Sequence, residues 1–267
     1  MISVIIPTYN EASRIGGSLD RLRPMEGNFE VLVVDGLSAD GTFERAQALT
    51  PGFGRPLRVL RAPRHRAAQL NTGASAARGN ALLFLHADVW MSDGSFSAVE
   101  AALSDPQVIG GNFSLVFSGT LMSSRFFTWA NRQRRRLGIY YGDSGVFVRR
   151  WVFGALGGFR PMPLLEDYEF VRRMERLGRT VCLKPEIVVS DRRWRIHGVR
   201  RTLFAWIAIQ GLYSFGAPAE KLARWYPAIR DYGGRAASPT IERGAAAGES
   251  SASPAQALGF DSRSPVK

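Results

Sequence analysis

The chain has 267 residues, of which 45% are hydrophobic, and its formal net charge is +12. This length supports one substantial hydrophobic core or two small ones. The single cysteine, Cys182, excludes an internal disulfide and leaves no second thiol for a cysteine-based zinc site or for dithiol chemistry. Because Cys182 lies in the apolar stretch 180–183, we predict that it is a small core residue.

Arginine supplies almost all of the positive charge, because only three of the 35 basic residues are lysine. The excess predicts attraction to nucleotide phosphates or to an anionic membrane surface. A nucleic-acid partner is not expected, since the arginines are not interleaved with aromatic residues on one element. Met1 leads into an apolar strand without a basic region, so no secretory signal is expected. We therefore expect a cytoplasmic protein, either free or peripheral to the inner face of the membrane.

Strands and helices alternate in the first half of the chain. Each predicted strand is a short apolar run, and each predicted helix repeats apolar residues every three or four positions. The strands are predicted at 2–6, 30–34, 57–60 and 82–88, and the helices after residue 11 and at 43–49 and 67–77. Parallel neighbours need crossover connections, so this alternation predicts an α/β fold with a parallel, doubly wound sheet and helices on both faces.

Polar and acidic residues follow the predicted strands. Asn10 and Glu11 follow the first strand, Asp35 and Asp40 the second, and Asp88 ends the fourth. In a parallel sheet these positions meet at the carboxyl edge, where open α/β folds bind their ligands. The sequence lacks the phosphate-binding loops GxGxxG and GxxxxGK[ST], which argues against a dinucleotide fold. Carboxylates at this edge suit ribose hydroxyls, a base edge and a metal ion better than bare phosphate.

The run 82–88 ends on His86 and Asp88, two residues apart. Residues at this spacing on an extended chain point the same way, so both side chains are expected to face one divalent cation and the phosphates that it holds. The alternative is structural: Asp88 caps the next helix and His86 ends a strand.

A second group of α/β elements follows. Helices are predicted at 95–103, 121–137 and 168–177, a strand at 108–117, and a loop at 142–145 before another strand. The apolar segment 199–216 is too short and too interrupted to span a bilayer. A helix packed on the folded domain is the favoured interpretation of this segment, and an interfacial membrane helix is the alternative. Beyond residue 232 Gly, Ala, Ser and Pro predominate, which predicts one domain at 1–230 and a disordered tail at 231–267.

Three stretches taken together resemble the family 2 glycosyltransferases of the GT-A fold. They are Val-Ile-Ile-Pro-Thr-Tyr-Asn-Glu at 4–11, Val-Val-Asp-Gly-Leu-Ser-Ala-Asp-Gly-Thr at 33–42 and Leu-His-Ala-Asp at 85–88. Their order and spacing are more specific than any one motif. The His-Ala-Asp motif, the loop at 142–145 and the Arg-Arg-Trp at 192–194 further resemble a small bacterial subgroup often labelled arsenosugar-biosynthesis glycosyltransferases.

The resemblance implies a Rossmann-like, mostly parallel sheet and a donor pocket for a nucleotide sugar. It implies that Asp35 contacts the base and that Asp88 binds Mn²⁺ or Mg²⁺. His86 either touches the metal, the ribose or a phosphate, or is an ordinary strand-end residue. The remaining donor-binding candidates are Pro7, Thr8, Tyr9, Asn10, Glu11, Ser38, Asp40 and Arg193. Arg193 is expected to bind the diphosphate as a planar fork.

The second half, by the same resemblance, forms the acceptor side. The pair Glu166 and Asp167 matches the carboxylates at the start of an acceptor-side helix, and Asp167 is predicted to be the base of an inverting reaction. Alternatively, the pair is an acidic first turn that interacts with the helix dipole. Asp143 and Ser144 are placed near the donor sugar or acceptor. The predicted sugar platform is Trp194, and the alternative for Arg193 and Trp194 is surface charge beside a core aromatic.

These expectations describe an inverting, metal-dependent glycosyltransferase. Its donor is expected to be a UDP-linked sugar, and its acceptor is either lipid-linked or a small molecule. Two alternatives remain open, a catalytically silent sugar-nucleotide-binding protein and a nucleotidyltransferase. A nucleotidyltransferase would open with a basic glycine-rich loop, which residues 7–11 do not provide.

Overall fold

A central sheet of eight strands organises the part of the chain that the computed structural model describes, residues 1–117, 126, 128–131, 133, 140–189 and 199–225. The strands are β1 (Ile2–Thr8), β2 (Phe29–Asp35), β3 (Leu57–Arg61), β4 (Ala81–Phe84), β5 (Val89–Met91), β6 (Val108–Phe117), β7 (Val146–Arg149) and β8 (Arg179–Val189). The helices are α1 (Ala12–Leu22), α2 (Thr42–Ala48), α3 (Arg66–Ala76), α4 (Ser95–Ser104), α5 (Arg150–Ala155), α6 (Glu166–Leu177), α7 (Val199–Ser214) and α8 (Ala219–Trp225).

The sheet has the order β3-β2-β1-β4-β7-β6-β8-β5. The first four of these strands run parallel, as the alternation of strands and helices predicted. Direction reverses at β7, which pairs antiparallel with both β4 and β6. The pair β6 and β8 is parallel again, and β5 closes the edge antiparallel to β8. The result is a mostly parallel mixed sheet in an α/β fold.

Helices cover both faces of the sheet. Successive residues of a strand point to opposite faces, so each central strand contributes side chains to two buried clusters. One buried cluster joins Val4 and Ile6 of β1 to apolar residues of α1, α2 and α4. The other joins Ile5 of the same strand to residues of α3, α5 and α6. Continuous apolar runs such as β2, in which every residue is buried, are what a strand covered on both sides requires.

The predicted strand at 82–88 was too long. Pairing with β1 covers Ala81–Phe84, and the amide of Leu85 still donates to the carbonyl of Ile5 at 3.0 Å. The chain then turns at 87–88 so that β5 can pair with β8 at the far edge of the sheet. Asp88 is consequently an exposed turn residue, and the argument that an extended chain aims His86 and Asp88 the same way was wrong.

Other expectations meet the structure with mixed results. Cys182 is exposed, not a core residue, because β8 lies near the sheet edge with many of its side chains outward. Strand β6 at Val108–Phe117 and the loop before β7 match the prediction. Arg193, Trp194, most of the predicted helix at 121–137 and the tail at 231–267 lie outside the described residues.

Candidate functional site

The donor-side loops meet at Asp35, the last residue of β2. Its carboxylate accepts hydrogen bonds from the Ser38 amide at 2.9 Å, the Ser38 hydroxyl at 2.5 Å and the Thr8 hydroxyl at 3.4 Å. Thr8 ends β1 and pairs with Asp35 in the parallel register, as adjacent strand ends do. The structure thus brings together three of the residues that the resemblance implied for the donor pocket. Asp35 is buried, and these hydrogen bonds hold its carboxylate in one orientation.

Backbone strain accompanies these loops. Asn10 and Leu37 adopt φ angles of 54° and 61°, in the left-handed region that costs a non-glycine residue about 1–3 kcal/mol. Hydrogen bonds hold the strained turn, from the Asn10 amide to Ser38 Oγ at 2.9 Å and from the Ala39 amide to Asn10 Oδ1 at 3.2 Å. Strain of this kind is retained where a loop must present particular groups. Asn10 and Ser38 therefore form one fixed unit.

The Asp40 carboxylate accepts hydrogen bonds at the starts of two helices, α1 and α2. Its Oδ2 accepts from the Ala12 amide at 3.0 Å, and its Oδ1 accepts from the Thr42 amide at 3.1 Å and from the Thr42 hydroxyl. The Glu11 amide in turn donates to Thr42 Oγ1 at 2.8 Å. Burial alone raises the pKa of Asp40, but these hydrogen bonds outweigh it and leave the pKa below its ordinary value. Donor binding by Asp40 stays a prediction, and its carboxylate already has internal partners.

Gln69 of α3 forms hydrogen bonds to the ends of both β1 and β2. This buried side chain donates to the carbonyl of Thr8 at 2.6 Å and to that of Val34 at 2.9 Å. Pro7 lies beside Val34 in the pairing of β1 with β2. Sequence reasoning did not single out Gln69, although a glutamine among the apolar positions of a predicted helix was a signal. Tyr9, the first residue beyond β1, packs its ring under the Arg64 guanidinium at 4.0 Å.

Arg66, at the start of α3, joins the groups on the other side of the site. Its Nη2 contacts Nε2 of His86, and its Nε lies 3.0 Å from Oε1 of Glu166. Nη2 also lies 3.8 Å from Oδ2 of Asp167. A guanidinium only donates, so Nε2 of His86 is the acceptor in this contact. Sequence reasoning missed Arg66, because one arginine does not stand out where 32 of 35 basic residues are arginine.

Asp167 is held in one orientation by two backbone amides. The Gly142 amide donates to its Oδ2 at 2.7 Å and the Tyr168 amide to its Oδ1 at 2.7 Å. The side chain lines a small cavity, of about 10 Å³ and so with room for about one water molecule, together with Arg66 and His86. A carboxylate fixed in this way next to a guanidinium is suited to meeting one hydroxyl in one place.

Gly142 fits into the centre of this cluster because it has no side chain. A Cβ at this position would lie 2.8 Å from Asp167 Oδ2, 2.9 Å from Arg66 Nη2 and 3.1 Å from His86 Nε2. The residue opens the 3₁₀ turn Gly142–Ser144. Ser144 is buried, and its hydroxyl donates to the carbonyl of Tyr141, the residue before the turn, at 2.5 Å. Asp143 is half-buried in the same turn.

Glu166 lies behind Arg66 and is buried. Burial raises the pKa of this carboxyl to about 7, the nearby Arg66 guanidinium opposes the rise, and the neighbouring Asp167 charge adds to it. Leu165, which precedes the pair, adopts a φ of 65° at the start of α6. The two adjacent carboxyls therefore have different environments: Asp167 faces the cavity, and Glu166 is enclosed beside a cation.

No group of three or more His, Cys, Asp or Glu side chains within the described residues is arranged to hold a metal. The exposed carboxylate of Asp88 nevertheless fits an ion that keeps most of its waters and binds substrate phosphates, since Mg²⁺ uses only one or two protein carboxylates in such sites. His86 is already engaged by Arg66. The donor set thus matches a metal that arrives with its substrate better than a preformed metal cage.

No helix in the described part of the chain is long and apolar enough to cross a membrane.

Among curated proteins, the chain is 32% identical over 178 residues to the PGL/p-HBAD biosynthesis glycosyltransferase of Mycobacterium bovis (strain BCG / Pasteur 1173P2), covering 64% of this chain and 68% of that protein. Among solved structures, it matches the mannosyltransferase PcManGT from Pyrobaculum calidifontis, in complex with GDP-Man and Mn²⁺, at a TM-score of 0.59 and 24% identity. The match covers 71% of this chain and 56% of that mannosyltransferase, so the chain spans little more than half of its length.

TarS 1-349 of S. aureus, in complex with UDP-GlcNAc, matches at a TM-score of 0.58 and 18% identity, over 71% of this chain and 58% of that one. These likenesses show the GT-A type of fold. Residues 3–152, more than half of the chain, match the family described as Glycosyl transferase family 2. This protein therefore belongs to glycosyl transferase family 2 and is a glycosyltransferase of the GT-A fold.

Proposed function

We propose that this glycosyltransferase is inverting and metal-dependent, with a UDP-linked sugar as donor and Asp167 as the base. The observation that carries the proposal is the Asp167 carboxylate, which lines a cavity beside Arg66 while two backbone amides fix its orientation. A single displacement needs one such carboxylate next to the acceptor hydroxyl. The acceptor is a hydroxyl compound, lipid-linked or small, and the subgroup resemblance stays a prediction.

The donor side is supported by the fixed loops after β1 and β2. Asp35, Ser38 and Asn10 present polar groups at the carboxyl edge of the parallel strands, where nucleotides bind in open α/β sheets. The two structural neighbours hold GDP-Man and UDP-GlcNAc, both nucleoside diphosphate sugars. Asp88 is the proposed metal ligand, and a divalent cation, when bound, neutralises charge on the departing diphosphate.

In the proposed reaction the acceptor oxygen forms a bond to the anomeric carbon while the bond from that carbon to the diphosphate oxygen breaks. Asp167 takes the acceptor proton, and the nucleoside diphosphate leaves with the bonding electron pair. The Arg66 guanidinium lies 3.8 Å from the Asp167 carboxylate. Its positive charge offsets the negative charge of this carboxylate before the donor binds. Glu166, enclosed behind Arg66, holds this guanidinium in place at 3.0 Å.

The donor is identified by thermal shift with a panel of UDP-, GDP- and dTDP-sugars, each with and without Mn²⁺. We expect UDP-sugars with Mn²⁺ to raise the melting temperature most. Stabilisation by a GDP-sugar alone would contradict the UDP assignment but leave the proposed base intact. Stabilisation that is equal with and without Mn²⁺ would contradict the proposed metal.

The base is tested with Asp167→Asn. We expect donor affinity to stay within a few fold and kcat to fall by about 10²–10⁴, the usual loss for a positioned base. The matched control is Glu169→Gln. Glu169 lies in the same helical turn, and its carboxylate forms ion pairs with Arg160 and Arg173. This control should lower stability with kcat nearly unchanged. If Asp167→Asn instead loses nucleotide affinity in proportion to kcat, Asp167 belongs to the donor pocket and the proposed mechanism is wrong.

A further inference from the structure

Helix α7 exposes large apolar side chains along one side. Phe204 is 74% exposed, Ile207 63% and Phe215 93%. The Phe215 amide donates to the Gly211 carbonyl at 3.0 Å, so the helical geometry continues to this residue. Spacings of three and eight place these side chains on one face, together with the small residues Ala208 and Gly211. We call Phe204, Ile207, Ala208, Gly211 and Phe215 the outer stripe.

The opposite side of α7 already packs on the protein. Ile209 is buried, and Gln210 accepts a hydrogen bond from the Tyr141 hydroxyl. Tyr213 meets Tyr168 edge to face, with 6.0 Å between ring centroids. The helix therefore cannot rotate to bury the outer stripe without breaking these contacts. A helix with apolar residues on two opposite sides is normally covered on both, so the outer stripe is expected to have a partner.

Charge along the same segment points to the nature of this partner. The sequence has no acidic residue from 199 to 219, and Arg200 and Arg201 occupy the first turn of α7. Lys221 and Arg224 follow on α8, with Glu220 as the single opposing charge there. An apolar stripe flanked by cations fits the surface of an anionic bilayer, where apolar side chains enter the acyl boundary and basic groups meet lipid phosphates.

A second copy of the chain fits less well. A two-fold pairing through the outer stripe would bring the same patch of each subunit together. A parallel pairing would bring together the two first turns of α7, which contain Arg200 and Arg201. An antiparallel pairing would bring each first turn to the end of the other α7, which leads into the basic segment with Lys221 and Arg224. Positive charge meets positive charge in both cases, and juxtaposed like charges disfavour an interface. An anionic lipid surface has the opposite charge and needs no matching shape.

We propose that the outer stripe of α7 docks this protein on anionic phospholipid membranes, lying in the interface without crossing it. This binding activity goes beyond sugar transfer and does not depend on it. The inner side of the helix contacts Tyr141 and Tyr168, which adjoin Gly142 and Asp167 in the chain. Docking therefore fixes the half of the site that contains Asp167 close to the lipid surface.

The first experiment is flotation with vesicles of phosphatidylcholine alone or with phosphatidylglycerol added. We expect the full chain to bind the mixed vesicles and to lose at least about tenfold in affinity in the triple variant Phe204→Ser, Ile207→Ser and Phe215→Ser. The matched control is Trp151→Ser, which removes a side chain that is 63% exposed on α5. This control should bind as the wild type does.

A second measurement does not rely on serine variants. In a Cys182→Ser background, Ile207→Cys is labelled with an environment-sensitive fluorophore, and Trp151→Cys is labelled as the reference. Mixed vesicles should shift the emission of the label at 207 to shorter wavelength and leave the label at 151 unchanged.

Three outcomes would overturn the proposal. They are no binding of the full chain to mixed vesicles, equal binding by the triple variant, and an unshifted label at 207. A dimer detected by light scattering that the triple variant abolishes, without lipid binding, would assign the stripe to a second copy instead. Sugar transfer to a soluble acceptor would survive any of these results, so the proposed function is tested separately.

Discussion

Replacing Gly142 by alanine should damage the site and spare the fold. The added Cβ would lie 2.8 Å from Asp167 Oδ2, 2.9 Å from Arg66 Nη2 and 3.1 Å from His86 Nε2. The backbone of Gly142 does not have a positive φ, so alanine is compatible with its conformation. All three crowded atoms are far ends of side chains, which can retreat. The core therefore keeps its packing while the functional groups move.

The size of the effect follows from these distances. Ordinary contact begins near 3.4 Å, so Asp167 Oδ2 must retreat by at least 0.6 Å and Arg66 Nη2 by 0.5 Å. The 2.7 Å hydrogen bond from the Gly142 amide to Asp167 is strained or lost. A misplacement of 1 Å costs roughly 10²-fold in rate, so we expect kcat to fall about 10–100-fold. The lost hydrogen bond should lower the free energy of unfolding by about 1 kcal/mol.

The assay measures nucleoside diphosphate release from the donor found by thermal shift, alongside thermal melts. Gly17→Ala in α1 is the control, because no heavy atom lies within 4 Å of a Cβ placed there. Alanine in a helix interior should leave kcat unchanged and raise stability by roughly 0.5–1 kcal/mol. Wild-type kcat in Gly142→Ala would refute the idea that the Asp167 position matters. A large loss of stability would show that the side chains cannot retreat.

Three further predictions concern the metal, a titrating carboxyl and the frame of the donor loops. Asp88→Asn should abolish the Mn²⁺-dependent gain in nucleotide affinity and keep the melting temperature; unchanged affinity by calorimetry with Mn²⁺ would exclude Asp88 as a ligand. The pKa of Glu166 is raised from 4.5 to about 7, so between these values the folded chain holds a proton that the unfolded chain has released, and the free energy of unfolding falls as pH rises. Melts from about pH 5 to 8 should show this fall relative to Glu166→Gln, and parallel curves would contradict the raised pKa. Gln69→Glu sets a carboxylate against two carbonyl oxygens and should lower the free energy of unfolding, measured in urea melts, by about 2–4 kcal/mol. The control Gln47→Glu, on the exposed side of α2, should change it little. Equal losses in the two variants would show that the stability does not depend on the hydrogen bonds of Gln69.

Local patterns in the sequence predicted much of the first half of the fold. Runs such as β2 are apolar throughout, because a parallel strand is covered on both faces, and periodicity located α3 and α4 to within a residue. The end of β4 was misjudged for a related reason. Apolar residues recur as far as Ala87, and β1 itself runs to Thr8, but its pairing with β4 ends at Phe84 because the chain turns away to pair β5 with β8. Only the sheet order shows where this pairing stops.

The site was predicted in part. Asp35 could be placed beside the loop after β1 because adjacent parallel strands end at one edge. Arg66 could not be found, since its role depends on contacts with residues far along the chain and nothing local distinguishes it from other arginines. The crowding at Gly142 was hidden for the same reason. Residues whose importance arises only from tertiary packing leave no periodic or spacing signal.

The cluster around Gly142 also bears on the order of events during folding. Arg66, His86, Gly142 and Asp167 come from separate stretches of the chain, and the antiparallel pair β4 and β7 joins Ala81 to Arg149. Contacts this distant in sequence form late, because closing long loops costs entropy before any contact repays it. The parallel unit from β1 to β4 needs shorter connections. Recovery of activity after dilution from denaturant should therefore lag behind recovery of helical circular dichroism, which makes turnover a reporter of the last folding step.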